Sequence, residues 1–240
     1  MIIDVHNHIG RDPAYDIRQS AEELLDKMHV GGIDRAVIFP LANVTDLEKQ
    51  NDLISDAVDR APHKFIGFAL VNPWNEAETR RVVEYDWVKG VEVDVEIFSV
   101  NLVAPKVHAS LEAALERDLP VFLNSDHPMS RVSTNMAEWV EAVAVKYPDL
   151  RIITRPTIPG IGAVAKHCPN VFFEVSAMHA DLMLTRSTSQ FGAHRFLLGS
   201  DSPKEHPYVK RVLIETAQIT DHQKRMILGD NADRILNGSK

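Results

Sequence analysis

The sequence has a single cysteine, Cys168, so no disulfide can close within the chain. That fits a reducing compartment, and a small buried thiol is the expected state of Cys168. No stretch approaches the ~18 consecutive apolar residues that suggest a membrane span. There is no basic excess either. Lys and Arg number 26 against 34 Asp and Glu, a formal net charge of −8. Such a chain offers no field to offset phosphate repulsion, so no nucleic-acid partner is expected. Low-complexity linkers and clear internal repeats are also missing. Met1-Ile2-Ile3 leads at once into Asp4 and His6 without a basic region, which does not read as a secretory leader. A cytoplasmic protein without a membrane partner is the expectation.

What is present is an ordinary globular composition, 45% hydrophobic and 25% charged over 240 residues. That excludes a disordered chain. Short apolar runs alternate with stretches of helical period. The predicted strands are Ile2–His6, Ala36–Phe39, Phe65–Val71, Gly90–Asp94, Pro120–Asn124, Arg151–Thr154, Val171–Val175 and Phe196–Ser200. Most lack polar alternation, as strands covered on both faces should. Ser20 with Glu23, Thr45 with Glu48 and Thr220 with Gln223 fit helix-capping pairs. Asn75 can cap a further helix, and Pro105 suits a first helical turn. About eight strand–helix units in this length predict an α/β fold, a compact (β/α)₈ TIM barrel forming one domain over residues 1–240. A doubly wound open sheet shares the alternation and is the alternative.

Chemistry concentrates at strand ends. In Asp4-Val5-His6-Asn7-His8, side chains alternate, so His6 and His8 share a face. Two imidazoles one pleat apart at a barrel mouth can bind one cation. The competing reading is a pair that only caps the strand. In Leu198-Gly199-Ser200-Asp201-Ser202-Pro203, the last predicted strand delivers Asp201 to the same mouth. A carboxylate there can ligate a metal or accept a proton from water. The competing reading is a turn aspartate.

Together these segments resemble the amidohydrolase superfamily, in its amidohydrolase-related branch of metal-dependent hydrolases and decarboxylases. The likeness rests on His6-Asn7-His8, Val71-Asn72-Pro73, the segment from Leu198 to Pro203, and Asn231-Ala232-Asp233-Arg234-Ile235-Leu236. It implies one divalent metal at the mouth, most often zinc, held by His6, His8 and Asp201, with Asp201 also the general base. The chain departs from the pattern in its middle strands. Relatives usually carry Lys-x-His on the fourth strand, where this chain has Glu92-Val93-Asp94. They carry histidine at the end of the fifth, where it has Asn124, and often after the sixth, where it has Thr154-Arg155.

Asp94, Asn124 and Glu92 are therefore candidate ligands, Glu92 the weakest. An oxygen-richer set would tilt the site from zinc toward manganese or magnesium. Acids pointing into a barrel need partners, and the metal, Lys89 or Arg155 can supply one. His127 could stand in for the fifth-strand ligand or touch substrate. Arg11 and Arg155 could bind a substrate carboxylate, which the guanidinium fork matches. Gly160-Ile161-Gly162-Ala163-Val164-Ala165 imitates a dinucleotide loop, but Pro156 and Pro159 break its approach and Glu174 follows too soon. It reads as a loop. The expected activity is hydrolysis of a small ester, amide or lactone. Non-oxidative decarboxylation is the alternative, and a barrel that has lost catalysis is a third reading. A homo-oligomer is compatible with all three.

Overall fold

The computed structural model describes residues 1–13, 16–41, 46–95, 97–124 and 136–238. His127, Thr45 and Glu96 lie outside the described residues. Nine strands run in the spatial order β2-β1-β3-β4-β5-β6-β7-β8-β9. They are β1 (Ile3–Asp12), β2 (Ile17–Gln19), β3 (Arg35–Pro40), β4 (Phe65–Leu70), β5 (Val88–Asp94), β6 (Val121–Asn124), β7 (Ile152–Thr154), β8 (Val171–Glu174) and β9 (Phe196–Leu197). Only β2 is antiparallel; it folds back on β1, with Gly10 opposite Gln19. The remaining strands are parallel in chain order.

Backbone hydrogen bonds just past β9 close the curl. Val5 N–H donates to Leu198 C=O at 2.8 Å, Asp201 N–H to His6 C=O at 2.8 Å, and His8 N–H to Ser202 C=O at 2.7 Å. This is the TIM barrel that the strand rhythm predicts, and the consecutive closed order excludes the doubly wound sheet. The hairpin to β2 was not expected. Its three residues, Ile17-Arg18-Gln19, are too short to register as a periodic segment.

The helices are α1 (Ala21–Gly31), α2 (Leu47–Arg60), α3 (Glu76–Val82), α4 (Pro105–Glu116), α5 (Met136–Lys146), α6 (Ile161–His167), α7 (Asp181–Phe191), α8 (Pro207–Thr216), α9 (Asp221–Arg225) and α10 (Asn231–Leu236). Ser20 and Thr220 form the capping boxes that their spacing predicts, and Asn75 accepts from Glu78 N–H. Pro105 stands in the first turn of α4, whose Leu111 and Ala114 are buried. Of the dinucleotide-like glycines, Gly160 precedes α6 as a left-handed cap while Gly162 lies within the helix, so only the first belongs to a loop. Cys168 is buried, as expected. No helix among the described residues is long and apolar enough to cross a membrane.

The apolar core has two parts. The larger lies between sheet and helices and includes Ile38, Val91, Val93, Leu123 and Val171. The smaller fills the barrel interior with Val5, Val37, Phe39, Phe68, Phe122, Ile153, Phe172 and Leu197. Gly90 is glycine because the Phe68 ring occupies the space a Cβ would take. Each strand therefore shows one face to the helices and one to the interior, which explains the unbroken apolar runs.

Candidate metal centre

Above the apolar floor the interior turns polar. On β6, β7 and β8 the change comes two residues after an interior apolar side chain. Asn124 follows Phe122, Arg155 follows Ile153, and Glu174 follows Phe172. Side-chain alternation puts each pair on the same face. Glu92 and Asp94 on β5 and Asp201 beyond β9 complete this buried ring.

On β1 alternation alone would fail, because Ile3 and Val5 already face inward. A bulge corrects the phase. Asp4 pairs with Ala36 and Asn7 with Ile38, so the register slips between them. His6 and His8 then face the interior, while Ile9 packs toward the helices. Asp4 stabilises the slip: its Oδ1 accepts from His6 N–H at 3.1 Å and from Ser200 N–H at 3.0 Å. Burial pushes the Asp4 carboxyl up to about 7 against those hydrogen bonds.

His6, His8 and Asp201 converge. One ligand atom from each lies within 4.8 Å of the others, and all three residues are buried. The two Nε2 atoms are 3.0 Å apart. Asp201 Oδ1 lies 3.7 Å from His6 Nε2 and 3.5 Å from His8 Nε2, and it accepts no hydrogen bond. His8 Nδ1 faces the Pro40 carbonyl at 3.0 Å. A carbonyl only accepts, so Nδ1 carries the proton and leaves Nε2 as the lone-pair side. With both rings neutral and His8 protonated at Nδ1, at most one proton, on His6 Nε2, lies among these three acceptor atoms, and Asp201 Oδ1 has no donor, a setting that suits a cation. Two nitrogens and a carboxylate oxygen fit a divalent transition metal.

Cations and carboxylates surround the trio. Asp201 Oδ2 receives Arg155 Nη2 at 3.1 Å and Lys204 Nζ at 3.2 Å. Arg155 Nε also meets Glu174 Oε1 at 3.2 Å, and that oxygen lies 3.4 Å from His6 Nδ1. Burial alone would raise Asp201, but His6, His8 and Arg155 hold it well below the carboxylate range. Burial lowers the His6 imidazole, with Asp201 and Glu174 opposing it in part. Burial would lower His8 too, but Asp201 and Glu92 outweigh it and raise the group. Asp201 takes a left-handed backbone, φ 59°, which a non-glycine residue seldom adopts. Such conformations gather at functional sites.

The other sequence candidates separate. Asn124 Nδ2 donates to Glu92 Oε1 at 2.9 Å and to Asp94 Oδ2 at 3.2 Å. Asp94 Oδ1 accepts from Ile97 N–H at 2.8 Å. These three residues form an adjoining hydrogen-bonded group, and the trio of converging ligands does not include them. The amide is thus one partner that the buried acids need, a role expected of the metal, Lys89 or Arg155. Lys89 instead donates to the Asp86 carbonyl, and Arg155 pairs with Glu174 and Asp201. Burial, with Asp94 adding to it, pushes Glu92 up to about 7, against the pull of His8 and Asn124. Arg11 is exposed on the hairpin, 3.8 Å from Asp16, apart from the trio. Two residues escaped the sequence reading. Glu174 closes the apolar run Val171-Phe172-Phe173-Glu174, just as Asn124 closes β6, and that shared position was the available signal. Gln19, on the unforeseen β2, donates to His8 C=O at 2.7 Å and accepts from Ser202 Oγ at 2.9 Å.

The model of the amidohydrolase family matches residues 3–238. The chain belongs to the amidohydrolase family. Two residues of the segments that suggested the likeness serve the scaffold. Asn231 Nδ2 donates to Ala193 C=O at 2.9 Å and Phe196 C=O at 2.8 Å, and Asn72 Oδ1 accepts from Trp74 N–H at 2.9 Å. Among solved structures, 5-carboxyvanillate decarboxylase from Sphingomonas paucimobilis is similar at 17% identity and TM-score 0.80, covering 98% of each chain. A dihydroxybenzoic acid decarboxylase from Polaromonas sp. JS666, with bound manganese and the inhibitor 2-nitroresorcinol, is similar at 16% identity and TM-score 0.77. That match covers 100% of this chain and 97% of the other. A 2,6-dihydroxybenzoate decarboxylase from Rhizobium gives 17% identity and TM-score 0.74 over 98% of each chain. At these identities the likeness is one of fold. No curated protein matches the sequence.

Proposed function

We propose that this protein is a cytoplasmic, divalent-metal-dependent enzyme that removes carbon dioxide from a small carboxylate without redox chemistry. The observation that carries the reading is the setting of Asp201. Hydrolysis of this design needs a carboxylate that takes a proton from water. Asp201 is paired with Arg155 and Lys204 and held well below the carboxylate range, so it is a weak base. The same two cations offer a carboxylate-bearing substrate a place beside His6 and His8.

His6, His8 and Asp201 would hold the metal, and a divalent cation there supplies positive charge that draws in substrate oxygens and stabilises developing negative charge. Arg155 and Lys204 orient the leaving carboxylate. Glu92, pushed up to about 7, retains a proton near neutrality. It is suited to give that proton to the carbon that keeps the electron pair when the carbon–carbon bond breaks and carbon dioxide leaves. Water then restores the proton to Glu92. Phe39 and Phe122, with ring centroids 5.7 and 4.6 Å from that of His6, keep water from below. The decarboxylases of similar fold support this reading, and the manganese in one of them supports manganese beside zinc as the ion.

A second reading, hydrolysis of an ester, amide or lactone with Asp201 as base, is favoured by the free Asp201 Oδ1 facing both imidazoles. One experiment separates the two. Protein loaded with manganese or zinc is incubated in heavy water with hydroxybenzoates and carboxyvanillates, and separately with esters and lactones. Carbon dioxide release with deuterium at the vacated carbon, lost in His6→Ala/His8→Ala, is the expected result. Turnover of esters or lactones alone would overturn it.

A further inference from the structure

Glu174 has no place in the chemistry above, yet it is one of the most tightly held side chains in the barrel. It is fully buried at the end of β8. Ser176 donates to it twice at 2.7 Å, from N–H to Oε2 and from Oγ to Oε1. Arg155 Nε stands 3.2 Å from Oε1. On the remaining side, a Cβ at Gly199 would collide with Glu174 Oε2, so the glycine in Leu198-Gly199-Ser200-Asp201 makes room for this carboxylate. A buried carboxylate is costly unless it is paired. Such a clamp points to a task for its remaining contact, which is His6 Nδ1 at 3.4 Å.

We infer that Glu174 is a positioning residue that fixes His6 as the Nδ1–H tautomer and so turns the Nε2 lone pair toward Asp201 and His8. The argument is one of donors and acceptors. Glu174 Oε1 is the carboxylate oxygen beside His6 Nδ1, at 3.4 Å and without an aligned hydrogen bond, so the contact orders the ring by charge and proximity. A proton on Nδ1 meets a carboxylate oxygen, whereas a bare Nδ1 would set a lone pair against one. The Pro40 carbonyl imposes the same tautomer on His8. The two imidazoles are thus fixed by different means, His8 by backbone and His6 by a side chain that mutation can remove. Partners of this kind typically change metal affinity by about 10–100-fold. Arg155 joins Glu174 to Asp201, so the same carboxylate also holds the guanidinium in place.

The affinity part of this inference rests on the metal reading above; the tautomer part does not. The test therefore has two arms, each run on the full chain as wild type, Glu174→Gln, Glu174→Ala and Gly199→Ala. The last displaces Glu174 without deleting it. Long-range proton–nitrogen NMR on metal-free protein reads the His6 tautomer. Titration with manganese and with zinc reads affinity and stoichiometry. Expected are an Nδ1–H His6 in the wild type, a shift toward Nε2–H in Glu174→Ala and Gly199→Ala, and an affinity loss of about 10–100-fold with one ion still bound. Glu174→Gln, which keeps an acceptor oxygen, should fall between. Should Glu174→Ala fail to fold, the isosteric Gln variant and Gly199→Ala carry both arms. Folded variants that keep the wild-type tautomer and affinity would overturn the inference. A wild type that takes up no ion, but whose His6 tautomer follows Glu174, would overturn the metal reading and leave this inference standing.

Discussion

His6 and His8 face one another Nε2 to Nε2 at 3.0 Å, with the unbonded Oδ1 of Asp201 beside both. A strand that capped itself with histidines would turn them toward donors. Here they turn toward each other and toward a carboxylate oxygen, an arrangement that suits a cation between them. Changing both to alanine should abolish metal uptake, from about one ion per chain to none, with the fold retained. Elemental analysis after dialysis against zinc and manganese measures this. Retention of one ion in the double variant would move the site to Glu92, Asp94 and Asn124.

How much of this was readable beforehand depends on which interactions are local. The barrel was legible because strands covered on both faces leave unbroken apolar runs such as Val171-Phe172-Phe173. His6, His8 and Asp201 were legible because each follows an apolar run, although β1 continues to Asp12 and β9 already stops at Leu197. The direction of His6 was right for an incomplete reason: alternation from Val5 points it outward, and the bulge fastened by Asp4 turns it in. Gln19 was illegible, since Ser202 lies far along the chain, and Glu174 showed only its place at the close of an apolar run, because Arg155 and His6 are remote in sequence. Asn124 reads as a candidate ligand in a histidine's place, and a sequence cannot show that its amide also lies between two acids.

The proton on His8 sets a pH dependence for metal uptake. Burial lowers this imidazole, but Asp201 and Glu92 outweigh it, so His8 keeps its proton to higher pH than a free imidazole. A cation needs Nε2 bare and must displace that proton. Affinity should therefore fall as pH drops through the raised value, by roughly tenfold per pH unit below it. Calorimetry in buffers of different ionisation heat should record one proton released per ion on the acid side and none on the alkaline side. A flat affinity across that range would show that His8 is not a ligand.

Glu92 sets a second dependence, this time on stability. Its folded value is pushed from 4.5 to about 7 by burial, so between those limits the native state binds more protons than the unfolded state. Stability then falls as pH rises through that window. Glu92→Gln keeps the acceptor for Asn124 and removes the titration. Relative to wild type, the variant should gain on the order of 1–3 kcal/mol between acid and neutral pH. Urea unfolding at several pH values measures the difference, and parallel curves for the two proteins would contradict the burial argument.

Arg155 is the joint of the charged layer. Its guanidinium lies between Glu174 at 3.2 Å and Asp201 at 3.1 Å, with 9% of the side chain exposed. Arg155→Ala would leave buried Glu174 without its cation and Asp201 with Lys204 alone. Breaking such a pair from one side costs about 3–5 kcal/mol, far more than losing a surface salt bridge. Arg155→Lys keeps the charge, but an ammonium is a point donor and cannot span both acids in the same plane, so it should restore only part of the loss. A divalent cation on the imidazole pair would itself oppose the two carboxylates. The destabilisation of Arg155→Ala should accordingly shrink when manganese or zinc is added, as thermal melts with and without the ion would show. If the ion stabilises wild type and variant by the same amount, Arg155 and the metal do not share the field of Asp201, and the guanidinium belongs to the scaffold alone.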